Sequence, residues 1–387
     1  MDNLLAETRT KFGHVLANVK HITRHDSDAR KIKIENFIGY TSIPVGLAGP
    51  LHIHEPASIS KDIYVPMATT EAALIASCCR GCKALNMSGG AHFQVLSEGM
   101  SRGPVFQFNS PSDALVFARL LPSIRENIKV IAESTSRHVR LQRLTPHIIG
   151  SDVHVHFNYS CGDASGQNMV TIATQQVCEW IMKSDIASEL SIQGFIIEGQ
   201  LASDKKPSWG SVKEPRGMEV IAWAAIPDPV CRKVLGCTSE QLFNTQRTLQ
   251  EGGIRNGQHG SNINTANIVA SIFIATGQDA ASTAEAAWSH LTPEYDSHSR
   301  LLTMSMYFPS LPVGVIGGGT VYDTQREGLQ IMECTGPGTK TRLAGIIACY
   351  ALALDASTSA AIGNNTFSQS HQRLARGRND CHGKAKI

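Results

Sequence analysis

The 387-residue chain lacks the marks of several large protein classes. It has no stretch of ~18 consecutive apolar residues, so an ordinary membrane span is not expected. Its first residues, MDNLLAETRTKFGH, carry charges throughout and contain no apolar core of a signal peptide, which points away from secretion. Charge of one sign is also scarce: the net charge is only +2, and lysine and arginine are scattered along the whole length. A dedicated nucleic-acid surface is therefore not expected. Only residues 373–386 are distinctly basic, and a solvated chain end accounts for them. The ten cysteines show no paired CxxC spacing with partner histidines, so neither a metal centre nor a disulfide framework is indicated. Reduced, mostly buried thiols in a soluble cytoplasmic protein are the plain reading. No internal repeat or low-complexity linker interrupts the chain.

What is present is a composition fit for a large interior. Hydrophobic residues make up 42% of the chain, and the length suits two or three subdomains. The first thirty-odd residues look helical and polar. Thr69 and Thr70 precede a helical stretch, TEAALIASCCRGCKAL, that puts Glu71 in a first turn; Gly89 and Gly90 close it. GPVFQF, DVHVHFNY and SIQGFIIEG read as strands, separated by the helical segments SDALVFARLLPSIREN and NMVTIATQQVCEWIMKSD. This alternation over residues 103–200 predicts an α/β unit inserted in a more helical body. MEVIAWAAI reads as a strand, followed by one long helix, TANIVASIFIATGQDAASTAEAAW, and a last helix, TRLAGIIACYALALDAS. The class is α+β, with the second half mostly helical.

Several groups stand out chemically. In IIEGQLASDKKPSWG, residues 196–210, an apolar run ends in Glu198 and then in Asp204, Lys205 and Lys206 against Pro207. A solvated turn explains such charges, and so does a site where an ammonium meets an oxygen becoming negative. Asp279 sits within an apolar segment, where a carboxylate is costly unless solvated or paired. The turn DASGQN, residues 163–168, opens a helix after a strand, a geometry suited to anions. Gly317, Gly318 and Gly319 would allow a close backbone approach or serve as a hinge, but they form no GxGxxG fingerprint. Glu71 taken alone is a helix-start acid, and His371 taken alone an exposed terminal histidine.

Taken in order, ENFIGYTSIPVGLAGPL, VPMATTEAALIAS, EGMSRGPV, STSRHVRLQ, DASGQNM, SDKKP, TANIV, GQDAA and GVIGGGT resemble the soluble catalytic portion of 3-hydroxy-3-methylglutaryl-coenzyme A (HMG-CoA) reductase, eukaryotic type, without its membrane anchor. The resemblance runs from about residue 30 to 376. It implies an α+β fold in which a mostly helical large domain carries an inserted small ferredoxin-like α/β domain that binds NADP(H). The implied division is 1–34 as a short helical domain, 35–102 plus 200–376 as the large domain, 103–199 as the small one and 377–387 as a tail. A homodimer or homotetramer with the active site between subunits is implied, as is NADPH-dependent reduction of a coenzyme A thioester to mevalonate.

The resemblance puts the catalytic set on Glu71, Lys205, Asp279 and His371. Lys205 would stabilise the developing oxyanion. Glu71 would be a general acid kept protonated by a neighbouring Asp279, and His371 would protonate the departing thiolate. Cofactor positions fall on Ser136, Arg137, Asp163, Gly166, Asn168, Gly317, Gly318 and Gly319. Substrate positions fall on Arg102, Glu198, Asp204, Lys206, Arg247 and Asn262, with Ser77 and Arg80 near coenzyme A. The chain departs from the family pattern at Glu198 and Gln200, which stand for a serine and an asparagine. Ser165 and Gln167 replace methionines, Asn264 replaces a histidine, and Arg255, Gln258 and His259 enter small-residue positions. Groups for the chemistry are kept while pocket groups have moved. A paralogue of a specialised pathway acting on another substrate stays open as an alternative, and so does a non-catalytic binding protein.

Overall fold

The computed structural model describes residues 13–16, 41–56 and 60–367. Of the N-terminal helical segment only the turn Gly13–Leu16 falls among them, while His371 and the basic tail lie outside. Ten strands are described: β1 (Val45–His54), β2 (Lys61–Ala68), β3 (Ala91–Arg102), β4 (Val105–Gln107), β5 (Arg140–Ile149), β6 (Asp152–Ser160), β7 (Gly194–Ile196), β8 (Gly217–Pro227), β9 (His290–Asp296) and β10 (Leu301–Leu311). The longer helices are α1 (Leu74–Met87), α2 (Pro111–Leu120), α3 (Arg125–Ser134), α4 (Gln167–Lys183), α5 (Ser239–Arg255), α6 (Thr265–Thr276), α7 (Asp323–Ile331) and α8 (Thr339–Gly363).

Two buried clusters organise the chain. In the first, β3, β8, β10 and β9 follow one another antiparallel, and β1 joins β3 in parallel. Alternate residues of β8 (Val220, Ala222, Ala224, Ile226) and β10 (Leu302, Met304, Met306, Phe308) are buried, and α8 packs on both strands. α8 is apolar on every side, as a helix at the centre of a core must be. It is long and apolar enough to cross a membrane by length and composition, but 94% of that window is buried inside the fold. Helix α1 crosses it so closely that a Cβ on Gly81 would lie 1.8 Å from the Ala353 carbonyl oxygen.

The second cluster belongs to the segment from β4 to β7. Phe106, Phe117, Val153, Phe157, Val170 and Ile181 are among its buried residues. Its strands lie in the order β7-β4-β6-β5, all antiparallel, with α2, α3 and α4 supplied by the crossovers. Both β3 and β4 pair with β6, through Arg102↔Phe157 and Val105↔His154, so the chain passes between the two units at Gly103 and Pro104. Arg102 stands at that passage.

The sequence patterns need four corrections. α1 starts at Leu74, with Ala73 left-handed at its N-cap, so Glu71 lies in the preceding turn rather than in the helix. The long helix expected through Asp279 breaks at Gly277, whose φ of 74° ends α6; Asp279 then caps a short 3-10 turn. The helical segment before residue 135 is split into α2 and α3. The second half is less helical than expected, because β9 and β10 extend the sheet. Nine cysteines among the described residues are free, eight of them buried.

Candidate active site

The loop between β7 and β8 carries Glu198, Asp204, Lys205 and Lys206. Gln200, Ser203 and Lys205 adopt left-handed backbone angles (φ 69°, 57° and 59°), a conformation that non-glycine residues adopt only when their surroundings impose it. The surroundings here are charged. Arg216, 1% exposed, donates to Glu285 at 2.6 Å and to Asp204 at 2.8 Å. Glu285, equally buried, also accepts the Lys205 backbone N–H at 3.2 Å. Burial pushes its carboxyl above the ordinary range against the opposing pull of Arg216. The loop is thus pinned from below by a buried ion pair.

Held this way, Lys205 places its ammonium 3.1 Å from Asp279 Oδ2. Asp279 is fixed in turn by the Ala281 N–H at 3.0 Å. The Asp279 turn is tied down by Gln278, which is buried and exchanges two hydrogen bonds with the backbone of Gly314 (2.8 and 2.9 Å). Gln167, where the family pattern has methionine, donates to Ser282 at 3.0 Å and so links the DASGQN turn to the same element.

Glu198 is not left facing solvent alone. Arg102 donates to it at 3.2 Å and to Asp204 at 3.4 Å, and the Gly103 and Gln200 N–H groups donate at 3.3 and 2.8 Å. Lys206 turns back to the Asp204 carbonyl at 3.1 Å. Asn262 donates to the carbonyls of Ala287 and Ser289, beside the Glu285 segment. Arg247 lies on the exposed face of α5, with no ion pair among the described residues. His259 packs ring to ring with Trp209 (5.7 Å) and Trp288 (6.1 Å), next to the lysine loop, which accounts for a bulky side chain at a small-residue position.

Glu71, Ser77 and Arg80 are elsewhere. With Ala73, Asn264 and Thr358 they line a separate cavity of about 220 Å³. Ser77 and Arg80 both reach Ser357 of α8, at 2.9 Å each, which fixes the cavity wall. No hydrogen bond or ion pair among the described residues joins Glu71 to Lys205 or Asp279. The carboxylate of Asp355, fully buried on α8, accepts the N–H groups of Ile263 (2.9 Å) and Asn264 (2.8 Å) ahead of α6. Burial pushes its carboxyl up to about 6.

The turn at Asp163 and the segment leading to Gly317 lie side by side. The Asp163 carbonyl accepts the Val315 N–H at 2.8 Å, Ala164 bridges to Ile316, and Asp163 also receives the Gly338 N–H at 2.9 Å. Gly166 must be glycine: its φ is 90°, and a Cβ there would sit 2.3 Å from Cys161 Sγ. Asn168 follows on the exposed first turn of α4. Gly317 and Gly318 have open space where side chains would stand, while Gly319 packs on the Gly277 carbonyl. Ser136 points its hydroxyl at Met169 on α4, and exposed Arg137 lies against His138.

Sequence reasoning missed Arg216, Glu285, Gln278 and Asp355. Each is a polar residue in or beside an apolar stretch, and that mismatch was the available signal.

The chain matches the family described as hydroxymethylglutaryl-coenzyme A reductase over residues 3–376. It belongs to that family. Among curated HMG-CoA reductases, the Aeropyrum pernix protein is 38% identical over 351 residues, covering 89% of this chain and 82% of its own. The Methanocaldococcus jannaschii reductase is 34% identical over 380 residues, 96% of this chain and 93% of that one. Reductase 1 of Hevea brasiliensis is 36% identical over 353 residues, 89% of this chain and 60% of that protein. A solved class II HMG-CoA reductase from Streptococcus pneumoniae, bound to NADPH in open conformations, superposes with a TM-score of 0.67 at 19% identity. It covers 85% of this chain and 87% of that one, a likeness of fold.

Proposed function

We propose that this chain is an NADPH-dependent oxidoreductase that converts (S)-HMG-CoA to mevalonate and free coenzyme A, the reaction by which its named relatives are known. The observation that carries this reading is the Lys205–Asp279 pair at 3.1 Å, on a strained loop anchored by Arg216 and Glu285. A thioester carbonyl gains negative charge on oxygen as it is reduced, and an ammonium held in place by protein stabilises it without reorganising. Asp279 orients that ammonium. Glu71 donates the proton at the aldehyde-level reduction, and His371, outside the described residues, protonates the coenzyme A thiolate.

NADPH, bound as two molecules in turn, would supply one hydride from each. The residues fit it: the Gly166 turn opens the 17-residue helix α4, Gly317 and Gly318 leave room, and exposed Arg137 suits a 2′-phosphate. Ser136, Asp163, Asn168 and Gly319 complete that set. Arg102, Asp204, Lys206, Arg247 and Asn262 serve the acyl end, and Ser77 and Arg80 the coenzyme A end.

Because the cavity lined by Glu71 includes neither Lys205 nor Asp279, the reading includes a homodimer or homotetramer in which two copies complete each site. It divides the chain into a large domain (35–102 plus 200–376) and a small one (103–199), supported by the two separate buried clusters. Its remaining parts, residues 1–34 and 377–387, lie outside the described residues apart from Gly13–Leu16. The free, mostly buried cysteines support a cytoplasmic location.

The test is NADPH oxidation with HMG-CoA. Lys205→Ala is expected to lower kcat by about a thousandfold. A folded protein that oxidises no NADPH with any acyl thioester overturns the reading.

A further inference from the structure

The arrangement around Arg102 has a consequence for the acyl group. Arg102 is 9% exposed at the side chain, and its polar atoms are turned to the protein. Nη1 meets Glu198 and Asp204, Nη2 donates to the Gln167 carbonyl at 3.4 Å, and the buried Nε has no partner. Glu198, Asp204 and Glu285 share this network with two guanidiniums, those of Arg102 and Arg216, so it holds one excess negative charge. Lys205 and Asp279 beside it cancel each other. A substrate carboxylate arriving at Arg102 therefore finds the guanidinium already engaged, and Glu198 adds like-charge repulsion. On the loop itself, exposed Lys206 and Lys213 are the cations with no ion pair among the described residues, flexible point charges that select weakly for a carboxylate.

We infer that Glu198 is a specificity-determining residue: the protein's own carboxylate takes the place at Arg102, so the site accepts acyl thioesters whose distal end is uncharged as well as the carboxylate-ended HMG group. The inference rests on the reading of the chain as a thioester reductase of this family and narrows its substrate class. Glu198 ties the loop to Arg102 through an internal ion pair, and distal hydroxyl, amide or ester groups escape the repulsion that a carboxylate meets.

The experiment compares kcat/KM for HMG-CoA with that for its distal amide, in the wild type and in Glu198→Gln. In the wild type the two substrates are expected within about tenfold of each other. Glu198→Gln, which keeps an oxygen acceptor for the Gln200 N–H, is expected to raise the preference for HMG-CoA by about tenfold or more, chiefly through a lower KM. A wild-type preference for HMG-CoA above about a thousandfold, unchanged in the variant, overturns the inference. If the wild type reduces neither substrate, the reductase reading has failed instead. Calorimetry then decides separately, with free 3-hydroxy-3-methylglutarate and its monoamide as probes. Tighter binding of the diacid alone in Glu198→Gln supports the inference, and equal affinities in both proteins overturn it.

Discussion

Asp355 is a carboxylate without exposed surface, held by two backbone N–H groups and raised by burial to about 6 from 3.8. A folded-state value above the unfolded one means a contribution to stability that is complete below about 3.8 and lost as pH rises through about 6. The size is about 3 kcal/mol over that window. Asp355→Asn should remove the dependence, so urea midpoints of variant and wild type should converge or cross between pH 4 and 7. Parallel midpoints across that range would contradict the argument. Arg216 poses the opposite case. Arg216→Leu leaves Glu285 buried without its cation and should cost about 3 to 5 kcal/mol, measurable by denaturant unfolding. The double variant Arg216→Leu with Glu285→Leu should recover part of that loss. Neither residue is chemically conspicuous in the sequence, whereas Asp204, Lys205 and Lys206 against Pro207 are. A cluster of like functional groups on consecutive residues is visible locally; a pair 69 residues apart is not.

At the scale of elements, local pattern found the fully buried helix α8 as well as half-buried strands, and it missed β9 and β10. β6 and β8 alternate or run apolar, and both were expected. β9 and β10 were not expected, although in β10 Thr303, Ser305 and Tyr307 alternate with the buried Leu302, Met304, Met306 and Phe308. The segment through Asp279 reads as one helix, since alanines favour helix throughout, and only the packing of Gly277 on Gly319 ends it. Helix α8 depends on small neighbours for its central place. Gly81→Ala would force a side chain into the Ala353 carbonyl and should destabilise the protein by about 3 kcal/mol. Gly252 in α5 has open space where its Cβ would stand, so Gly252→Ala should stabilise by about 0.5 to 1 kcal/mol. Thermal melts of the two variants, compared side by side, check both signs.

At the scale of the whole molecule, Lys205 and Asp279 form an ion pair, and Glu71 lines a cavity that includes neither. If two copies complete each site, inactive Lys205→Ala and inactive Glu71→Gln should complement each other. Random pairing in dimers makes half of them mixed, each with one intact site, so co-refolded subunits should regain about a quarter of wild-type activity. No recovery in a mixture shown to contain mixed dimers would place the complete site within one chain.

The sequence alone pointed to the α+β class that the structure shares, and raised the expectation of an inserted unit at residues 103–199 and of a site at the lysine loop. Those features reside in periodicity, composition and the order of short segments, which neighbouring residues carry between them. The tertiary structure decided which charge meets which. Glu198 and Arg102 are 96 residues apart, and their pairing depends on where β3 leaves one sheet and β4 enters the next. The same is true of Lys205 with Asp279. Such contacts are set by strand register and helix crossing, because an ion pair forms only where packing has already brought both partners out of water.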